Sequence, residues 1–561
     1  MSSQTHEVSN QFDELADFNL FASDRSLSRL VQKAGAAWAV PMLETYGCAI
    51  ASAASYRLAE QANRHVPELR SFDARGRRID QVEFHPSWHA LLAMYRESGL
   101  LTLASADARP GRWVAAAAGF YLHYQVEAGT MCPASMTQAC VPVLREEAAL
   151  WAELGAPLLA RDYDPRDIPI AQKKSIWIGM GMTEKQGGSD VRSNATVATA
   201  QGAGGRGGVY LLRGHKWFFS APMCDAHLVV ARADSGHSCF FVPRWRPDGT
   251  RNAVGIQRLK SKVGNRSNAS SEVEFDGAWS VMMGEEGHGI RTILTMATLT
   301  RLSCVIAAAA ILRQCLVQAL AYARRRQTFG RRLIEHAIMR SVLADLALES
   351  EAGVALAARL AAAYEATDGA GESGVDSAVD SAWKRILTPA AKFYLCKRSV
   401  ELSAEAMEVF GGNGYIEESV LARLFREAPV NSIWEGSGNV MCLDVLRAIQ
   451  REPQAAQCLL EDFHRLAGGD ARIRIAIDRL RGLLQIPPSE LEAQGRVLAQ
   501  SLVILAQACL LRDAAAVAAD PFVATRFEAG WGVVAGAIDT RRIDVEALLD
   551  HVFCGEIPAT E

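Results

Sequence analysis

The chain lacks the features by which several classes of protein are recognised. None of its 12 cysteines forms a C-x-x-C pair, and the closest two, Cys132 and Cys140, lack the spacing of a zinc knuckle or a small disulfide framework. No uninterrupted apolar run reaches the roughly 18 residues of a membrane span. Residues 1–18 are polar and acidic, unlike a secretory signal. These absences predict reduced, mostly buried thiols, no metal site and a cytoplasmic protein.

The chain also lacks an excess of charge of either sign. Its 561 residues carry a formal net charge of -4, with a pI of about 6.3. Composition therefore excludes a molecule-wide attraction to nucleic acid or to anionic membranes, and any such role needs a local patch. With 49% hydrophobic residues the chain can bury large cores. Its length predicts three or four packed units.

The pattern of apolar residues divides the chain into four predicted domains. Residues 1–178 have helical periodicity, and residues 179–284 change to short β-like runs separated by glycine and polar turns. Residues 285–450 hold long helical periods at roughly 288–325, 337–367 and 380–410, which predict an antiparallel bundle with a flexible loop near 368–377. Residues 451–561 are again helical, with breaks at IPPSE and AADPF. No internal repeat explains this order.

Three segments of the second domain offer polar groups to a ligand. The loop IGMGMTEKQGGSD, residues 178–190, can bring backbone N–H groups and the hydroxyls of Thr183 and Ser189 against a flat polar ligand. Taken alone, an ordinary turn is an equally good interpretation. GHKWFFSAP, residues 214–222, and KVGNRSNASSEVEF, residues 262–275, taken alone are plain amphipathic strands.

The bundle domain adds three further segments. RRQTFGRRL, residues 325–333, ends a predicted helix with arginines suited to a phosphate, although a solvated basic face is the commoner reason for such a sequence. FGGNGY, residues 410–415, is a glycine-rich loop. In NSIWEGSGNVMCLDVLR, residues 431–447, Glu435 precedes a glycine-rich turn and a helix, which offers a base with backbone donors beside it.

In this order and at these intervals, the six segments resemble the acyl-CoA dehydrogenase family over about residues 80–450. They are similar to its M-T-E-P-x-x-G-S-D, G-x-K-x-W-I-T-N, K-x-G-x-R-x-S-x-T-x-x-x-x-F, R-x-T-F-G, G-G-x-G-[YF] and [YW]-E-G-[TS] motifs. Lys185 replaces the family's proline, Phe218 its tryptophan, and Asn268 and Ser270 stand at hydroxyl positions. Glu408 stands where the family often has glutamine. The resemblance implies an α+β fold with an N-terminal helical domain, a middle β-barrel-like domain and a C-terminal four-helix bundle, here followed by an appended helical domain.

The resemblance also implies FAD as the cofactor and a role for each matching residue. Glu435 would remove the α-proton of an acyl thioester while the β-carbon passes hydride to the flavin, and Arg301 would face that carboxylate. A bundle-surface arginine is the alternative for Arg301. Arg326 and Thr328 would hold the FAD pyrophosphate of a neighbouring subunit. The FAD-binding residues would be Met182, Thr183, Gly188, Ser189, Phe218, Phe219, Ser220, Arg326, Thr328, Phe329, Gly411, Gly412, Ser437 and Asn439.

Closer details resemble one branch of the family, the AidB-like flavoproteins of the bacterial adaptive response to alkylating agents. FHPSWH, residues 84–89, YQVEAGTMCP, residues 124–133, and the extra C-terminal domain are similar to that branch. This implies a homotetramer built as a dimer of dimers, binding to double-stranded DNA and weak activity on an acyl-CoA such as isovaleryl-CoA. One alternative is a catabolic short- or branched-chain acyl-CoA dehydrogenase without a DNA role. The other is a structural DNA cover, a protein that shields DNA by binding it and whose flavin catalyses no reaction.

The residues themselves give DNA binding little support. Residues 451–561 hold 11 arginines and no lysine against 16 Asp and Glu, a net of -5, so phosphate binding would need clustering in space. In the segment 471–484, Arg472 and Arg479, and Arg474 and Arg481, recur on nearly the same helix faces. Arg447 is a further candidate by resemblance. A solvated helix face is the alternative for each of these arginines.

Overall fold

The computed structural model describes residues 5–368, 375–528 and 531–555. The central part of the predicted loop near 368–377 lies outside the described residues. The chain forms two compact units. The bundle unit contains Met1–Tyr56, Cys304–Trp434 and Gly438–Glu561, and the barrel unit contains Arg57–Ser303 and Glu435–Ser437. The four predicted domain boundaries stay a prediction, because the compact units divide the chain at other places.

The helices follow the predicted order closely. They are α1 (Arg25–Lys33), α2 (Val40–Ile50), α3 (Ala53–Arg64), α4 (Pro86–Glu97), α5 (Leu103–Ala106), α6 (Arg112–Tyr124), α7 (Met131–Arg145), α8 (Ala148–Leu159), α9 (Gly289–Arg325), α10 (Ala337–Ala366), α11 (Val375–Ala382), α12 (Thr388–Val409), α13 (Gly412–Tyr415), α14 (Val420–Asn431), α15 (Gly438–Arg451), α16 (Pro453–Leu466), α17 (Ala471–Leu484), α18 (Pro488–Leu491), α19 (Gly495–Asp513), α20 (Ala519–Phe527) and α21 (Val545–Val552). The three long helical periods of the sequence correspond to α9, α10 and the pair α11 and α12, which a π turn joins.

Five strands of the barrel unit close into a barrel. All strands of the described residues are β1 (Glu68–Phe72), β2 (Arg78–Glu83), β3 (Ile178–Gly181), β4 (Val197–Ala200), β5 (Val209–Ser220), β6 (Ala226–Ala233), β7 (Gly236–Pro243), β8 (Val254–Leu259), β9 (Ser270–Met283), β10 (Gln327–Thr328) and β11 (Arg331–Arg332). Strands β10 and β11 belong to the bundle unit. The order β6-β4-β5-β9-β7 is completed by pairing of β7 with β6. Buried residues of β5 and β9, among them Leu212, Phe219 and Phe275, fill the interior, and register shifts within β5 bring Leu212 and Phe219 to the same face. The predicted middle β-barrel is confirmed.

The sequence did not predict the hairpin formed by β1 and β2, which lies in a segment expected to be entirely helical. Leu69 lies opposite Val82 in its register. The turn is closed by the Asp73 carboxylate, which accepts from the backbone N–H groups of Arg75 and Arg77, and by Gly76 at a φ of 75°. Charged residues occupy much of both strands, so the short apolar alternation that marks a strand was hidden.

Two helices are strongly apolar over windows of 18 residues. Helices α9 and α19 each contain an 18-residue window apolar enough to cross a membrane, with mean hydropathies of 1.8 and 1.3. These windows are 100% and 67% buried inside the protein, which is the environment of core helices. Neither helix contains an uninterrupted apolar run of that length, because Arg313 lies within α9 and Gln507 within α19. The cytoplasmic location stays a prediction.

Candidate functional site

Glu435 lies on a turn with an unusual backbone conformation. Its φ is 59° and that of Gly436 is 111°. A glutamate in the left-handed region costs about 1–3 kcal/mol and persists only where its surroundings hold it. The Arg301 guanidinium constrains this conformation, because its Nε donates a hydrogen bond to the Glu435 carbonyl oxygen at 3.0 Å. Arg301 therefore fixes the turn that carries the predicted base, and this contact disfavours the surface-arginine alternative.

A cluster of polar side chains surrounds Cys132 on the first turn of α7. Burial raises the pKa of the Cys132 thiol to about 12. Lys262, Ser220 and Asn268 act on it in the opposite direction, while Glu435 raises the pKa further. These groups therefore lie close to one thiol, which stays protonated at neutral pH. Sequence reasoning missed Cys132, because only its surroundings distinguish it from other buried cysteines.

Asn268 carries the most informative side chain of this cluster. It is 0% exposed, yet neither its Nδ2 nor its Oδ1 meets both the distance and the angle of a hydrogen bond with any residue that the structure describes. Its carbonyl oxygen accepts from Lys262 Nζ at 2.5 Å, which fixes the backbone. A buried amide whose hydrogen bonds are incomplete costs up to about 1–3 kcal/mol. Because an amide both donates and accepts, it suits a ligand edge with alternating N–H and C=O groups, such as the pyrimidine edge of a flavin.

The loop at 178–190 is anchored to β5 by a buried ion pair. Glu184 and Lys216 are 2.7 Å apart, and both side chains are 0% exposed. The Glu184 carboxylate also accepts from the backbone N–H groups of Ala195 and Thr196. The Thr183 carbonyl accepts from the N–H of Trp217 at 2.8 Å. Two of the segments recognised in the sequence are thereby held together.

The predicted flavin residues of this loop occupy different environments. Thr183 is half-buried and Ser189 is exposed. A Cβ on Gly188 would lie 3.2 Å from the Thr183 methyl group, so the glycine allows close approach to Thr183. Met182 packs against the core, and its carbonyl accepts from Asn194 Nδ2 at 2.6 Å. Among the predicted flavin residues of the loop, Thr183 and Ser189 therefore offer accessible hydroxyl groups to a ligand.

The two phenylalanines of β5 lie on opposite faces of the strand. Phe218 is 52% exposed, whereas Phe219 is 2% exposed and stacks on His227 with ring centroids 3.8 Å apart. Alternation along the strand explains the difference. The Phe219 ring lies inside the barrel, so a flavin contact of this residue would involve its backbone, and the contact stays a prediction. Phe218 and Ser220 stay as predicted contacts.

The predicted pyrophosphate residues of the bundle unit lie at an exposed hairpin. Strands β10 and β11 pair around Phe329, which is 96% exposed at a φ of 50°. The Arg326 guanidinium donates to the Asn10 carbonyl, and the Asn10 side chain bonds the backbone of Gln327. Thr328 contacts His336. This hairpin is ordered by the N-terminal segment, and its role towards a neighbouring subunit stays a prediction.

The other predicted FAD residues are divided between the two units. Gly411, at a φ of 61°, precedes α13 and Gly412 begins it; both are exposed, with open space where a Cβ would lie. Ser437 belongs to the barrel unit, next to Glu435. Asn439, on α15, accepts from Arg496 Nε at 2.9 Å. Its side-chain oxygen is therefore already engaged within the bundle unit.

The five predicted DNA-binding arginines fall into two groups. Arg472 forms ion pairs with Asp470, Asp520 and Glu528, and Arg481 pairs with Asp478 at 2.7 Å. The exposed side chains of the second group have no ion pair within the described parts of the chain; they are Arg447, Arg474 and Arg479. Carboxylates compete with phosphate for the first group, so the second offers the better contacts.

Comparison with known proteins defines the class. Residues 10–165 match the family described as Adaptive response protein AidB N-terminal domain. Residues 179–278 match the Acyl-CoA dehydrogenase, middle domain, and residues 287–450 match the Acyl-CoA dehydrogenase, C-terminal domain. The chain belongs to the acyl-CoA dehydrogenase family, which uses FAD.

Individual relatives agree with the predicted branch. The chain is 47% identical over 504 residues to AidB of Escherichia coli (strain K12), covering 90% of each. It is 31% identical over 439 residues to acyl-CoA dehydrogenase family member 11 of Caenorhabditis elegans, covering 76% of this chain and 69% of that protein. The solved structure of C. elegans ACDH-11 in complex with C11-CoA has a TM-score of 0.82 and 25% identity, covering 100% of this chain and 95% of that one.

The described residues fit the FAD of the family. Asn268 offers a buried amide, Ser220 and Thr183 offer hydroxyls, and Phe218 offers an exposed ring. FAD supplies the acceptor for a hydride when bound. These groups would bind it, and the Arg301 contact would fix the turn of the predicted base.

Bulky side chains at two of the predicted contacts test this fit. We expect wild-type protein to be yellow with about one FAD per subunit, and Ser189→Leu and Ser220→Leu to lower the ratio of flavin to protein absorbance because leucine occupies space near the ligand. Ser235→Leu, on an exposed barrel turn, is the matched control. Full flavin loading of both variants would argue against these contacts.

Proposed function

We propose that this chain is an AidB-like, FAD-dependent acyl-CoA dehydrogenase that binds duplex DNA and acts in the adaptive response to alkylation. The observation that carries the catalytic part is the Glu435 turn, held by Arg301 beside the Cys132 cluster. The part concerning alkylation is supported by the match of residues 10–165 and by 47% identity to AidB.

The carboxylate of Glu435 is the group that would take the α-proton of the thioester. Cys132 does not compete with it, because burial keeps the thiol pKa near 12 and the thiol protonated. Arg301 bonds the backbone carbonyl of Glu435, so the carboxylate is positioned by its turn. Proton removal by a placed carboxylate contributes about 100- to 10,000-fold to such reactions.

The substrate class of this proposal is a short or branched acyl-CoA such as isovaleryl-CoA, turned over weakly. The second candidate is a catabolic acyl-CoA dehydrogenase without a DNA role. The net charge of -5 over residues 451–561 favours it, because that charge opposes binding to phosphate, and the similar C. elegans protein was solved in complex with C11-CoA. Anaerobic mixing with isovaleryl-CoA and with an 11-carbon acyl-CoA compares the two substrate lengths by loss of flavin absorbance. If neither bleaches the flavin, both catalytic proposals fail and a structural DNA cover remains.

The proposed DNA interface predicts different effects for the two groups of arginines. Arg447→Ala, Arg474→Ala and Arg479→Ala together should weaken binding to all duplex sequences alike, and removal of each arginine that bonds a phosphate should reduce the salt slope by about 1. Replacing Arg472 and Arg481 should change affinity less, because their guanidiniums already bond carboxylates. Fluorescence anisotropy titrations over a range of salt concentrations measure both effects.

The controls for this test are the melting temperature of each variant and the affinity of the wild type. If the wild type fails to bind duplex DNA at low ionic strength, the DNA part of the proposal fails. Equal decreases in affinity for both groups would mean that the ion pairs do not withhold Arg472 and Arg481 from phosphate. A homotetramer remains part of the proposal, and sedimentation of the flavin-loaded protein tests it.

A further inference from the structure

Glu127 is a buried carboxylate that the catalytic proposal does not use. It lies in the segment YQVEAGTMCP, between α6 and α7, and is 1% exposed. Its Oε1 accepts from Ser267 Oγ at 2.6 Å, from Gly129 N at 3.0 Å and from Asn63 Nδ2 at 3.2 Å. Its Oε2 accepts from the N–H of Thr130 at 2.7 Å and from its hydroxyl at 2.6 Å. Five hydrogen bonds to one carboxylate indicate that Glu127 holds its neighbours in place and does not merely fill space.

One set of these bonds holds the start of α7. The N–H groups of Gly129 and Thr130 precede the helix, so the carboxylate caps its positive end. The N–H of Cys132 in turn donates to the Gly129 carbonyl at 3.2 Å. The backbone of Gly129 therefore links the residue that carries the buried thiol to Glu127 through two hydrogen bonds.

The other bond holds the loop that carries Asn268. Ser267 is the neighbour of Asn268, and its hydroxyl reaches Glu127 from the loop before β9. The loop approaches so closely that a Cβ on Gly129 would lie 1.8 Å from Ser267 Oγ and 3.0 Å from the Asn268 nitrogen. One carboxylate thus sets the separation of the two segments that present Cys132 and Asn268.

The charge of Glu127 is maintained in spite of its burial. Burial raises the pKa of the carboxyl, but bonds from Ser267 and Thr130 outweigh this and lower it overall. Burial also lowers the pKa of His123 to about 4, so the imidazole is neutral at neutral pH. The His123 ring lies 2.9 Å from the Thr130 hydroxyl, which donates its own proton to Glu127.

We infer that Glu127 is a positioning residue of the flavin site. It holds the two segments that carry Asn268 and Cys132, so that the Asn268 amide is placed to bond the flavin. The inference rests on the flavin site proposed for the barrel unit. Glu127 acts through Asn268 and is not itself a catalytic residue. Its removal should therefore alter the bound flavin, besides any effect on folding.

Glu127→Gln is the informative substitution, because the amide has the same size. In either orientation its NH2 group meets a backbone N–H, of Gly129 or of Thr130, where the carboxylate had an acceptor for each. We expect the Kd for FAD to rise ~10-fold, which corresponds to the loss of about one hydrogen bond of this kind. The absorption spectrum of the remaining bound flavin should shift at equal loading.

A double-mutant cycle tests whether Glu127 acts through Asn268. Asn268→Ala alone should raise the Kd for FAD by a similar factor, and the double variant should bind FAD no more weakly than the weaker single variant. Multiplication of the two effects would overturn the inference, since independent sites add in free energy. FAD titration of apoprotein measures each Kd without requiring turnover, so loss of acyl-CoA activity in the wild type would contradict the proposed function alone.

Two further variants separate positioning from folding. Glu147→Gln removes another buried carboxylate of the barrel unit, which bonds Gly284 and Arg206, and should leave FAD affinity unchanged. Ser267→Ala removes only the bond to the Asn268 loop, and should raise the Kd several-fold even if Glu127→Gln does not fold. A lower melting temperature of Glu127→Gln with unchanged FAD affinity and spectrum, or an unchanged Kd in Ser267→Ala, would overturn the inference.

Discussion

We expect Glu435→Gln to remove nearly all reduction of the bound flavin by acyl-CoA, a loss of about 100- to 10,000-fold. The amide preserves the size of the side chain but cannot accept a proton at neutral pH. The φ of 59° and the Arg301 bond both involve the backbone of residue 435, so the turn should survive the substitution. The measurement is the rate of flavin reduction by isovaleryl-CoA, followed anaerobically at equal flavin loading.

The comparison requires that the rest of the protein be unchanged. FAD content and DNA affinity should be those of the wild type. Glu274→Gln, an exposed carboxylate on β9 of the same unit, is the matched control and should reduce its flavin at the wild-type rate. Equal rates for wild type and Glu435→Gln would show that another group takes the proton.

Glu184→Gln has the second largest expected effect, this time on stability. It leaves the Lys216 ammonium buried opposite a neutral amide, and breaking one side of a buried ion pair costs about 3–5 kcal/mol. The free energy of unfolding of the barrel unit should fall by that amount in urea titrations. Asp276→Asn breaks an exposed pair with Arg213 in the same barrel and should cost less than about 1 kcal/mol. Equal costs for the two variants would contradict this account.

The same carboxylate predicts how stability depends on acid. Burial raises the pKa of Glu184, but the attraction and hydrogen bond of Lys216 outweigh it and lower the pKa to about 2. Because the folded pKa lies below the ordinary value of 4.5, this contribution is present above about pH 4.5 and is lost as the pH falls towards about 2. Barrel stability in Glu184→Gln should therefore depend less on pH within that window than in the wild type.

Motifs with a fixed order predicted the fold because each combines turn residues with a strand or a helix boundary. Glu184 and Lys216 lie in two such motifs, and the structure shows that they bond each other. The alternation along β5 could have separated Phe218 from Phe219, since adjacent residues of a strand point to opposite faces. Which of the two points inward could not be predicted, because the register shifts between Lys216 and Phe219 and reverses the alternation that Leu212 and Lys216 follow.

Contacts between distant segments could not be predicted in the same way. Nothing local to Cys132 or Glu127 indicates the loop before β9 that bonds them. The pairing of Arg472 with Asp520 and Glu528 joins residues about 50 positions apart, at separations of 48 and 56. Sequence spacing placed Arg472 and Arg479 on one helix face, but the carboxylates that neutralise Arg472 come from elsewhere in the chain.

The assignment of Glu435–Ser437 to the barrel unit, with flanking residues in the bundle unit, limits how the gene can be divided. A fragment encoding residues 57–303 would contain the barrel and the buried cluster but not the carboxylate that the reaction needs. Fragment complementation would have to restore three residues from a second polypeptide. Circular permutation, which keeps every residue in one molecule, is therefore the better route for re-engineering this chain than domain dissection.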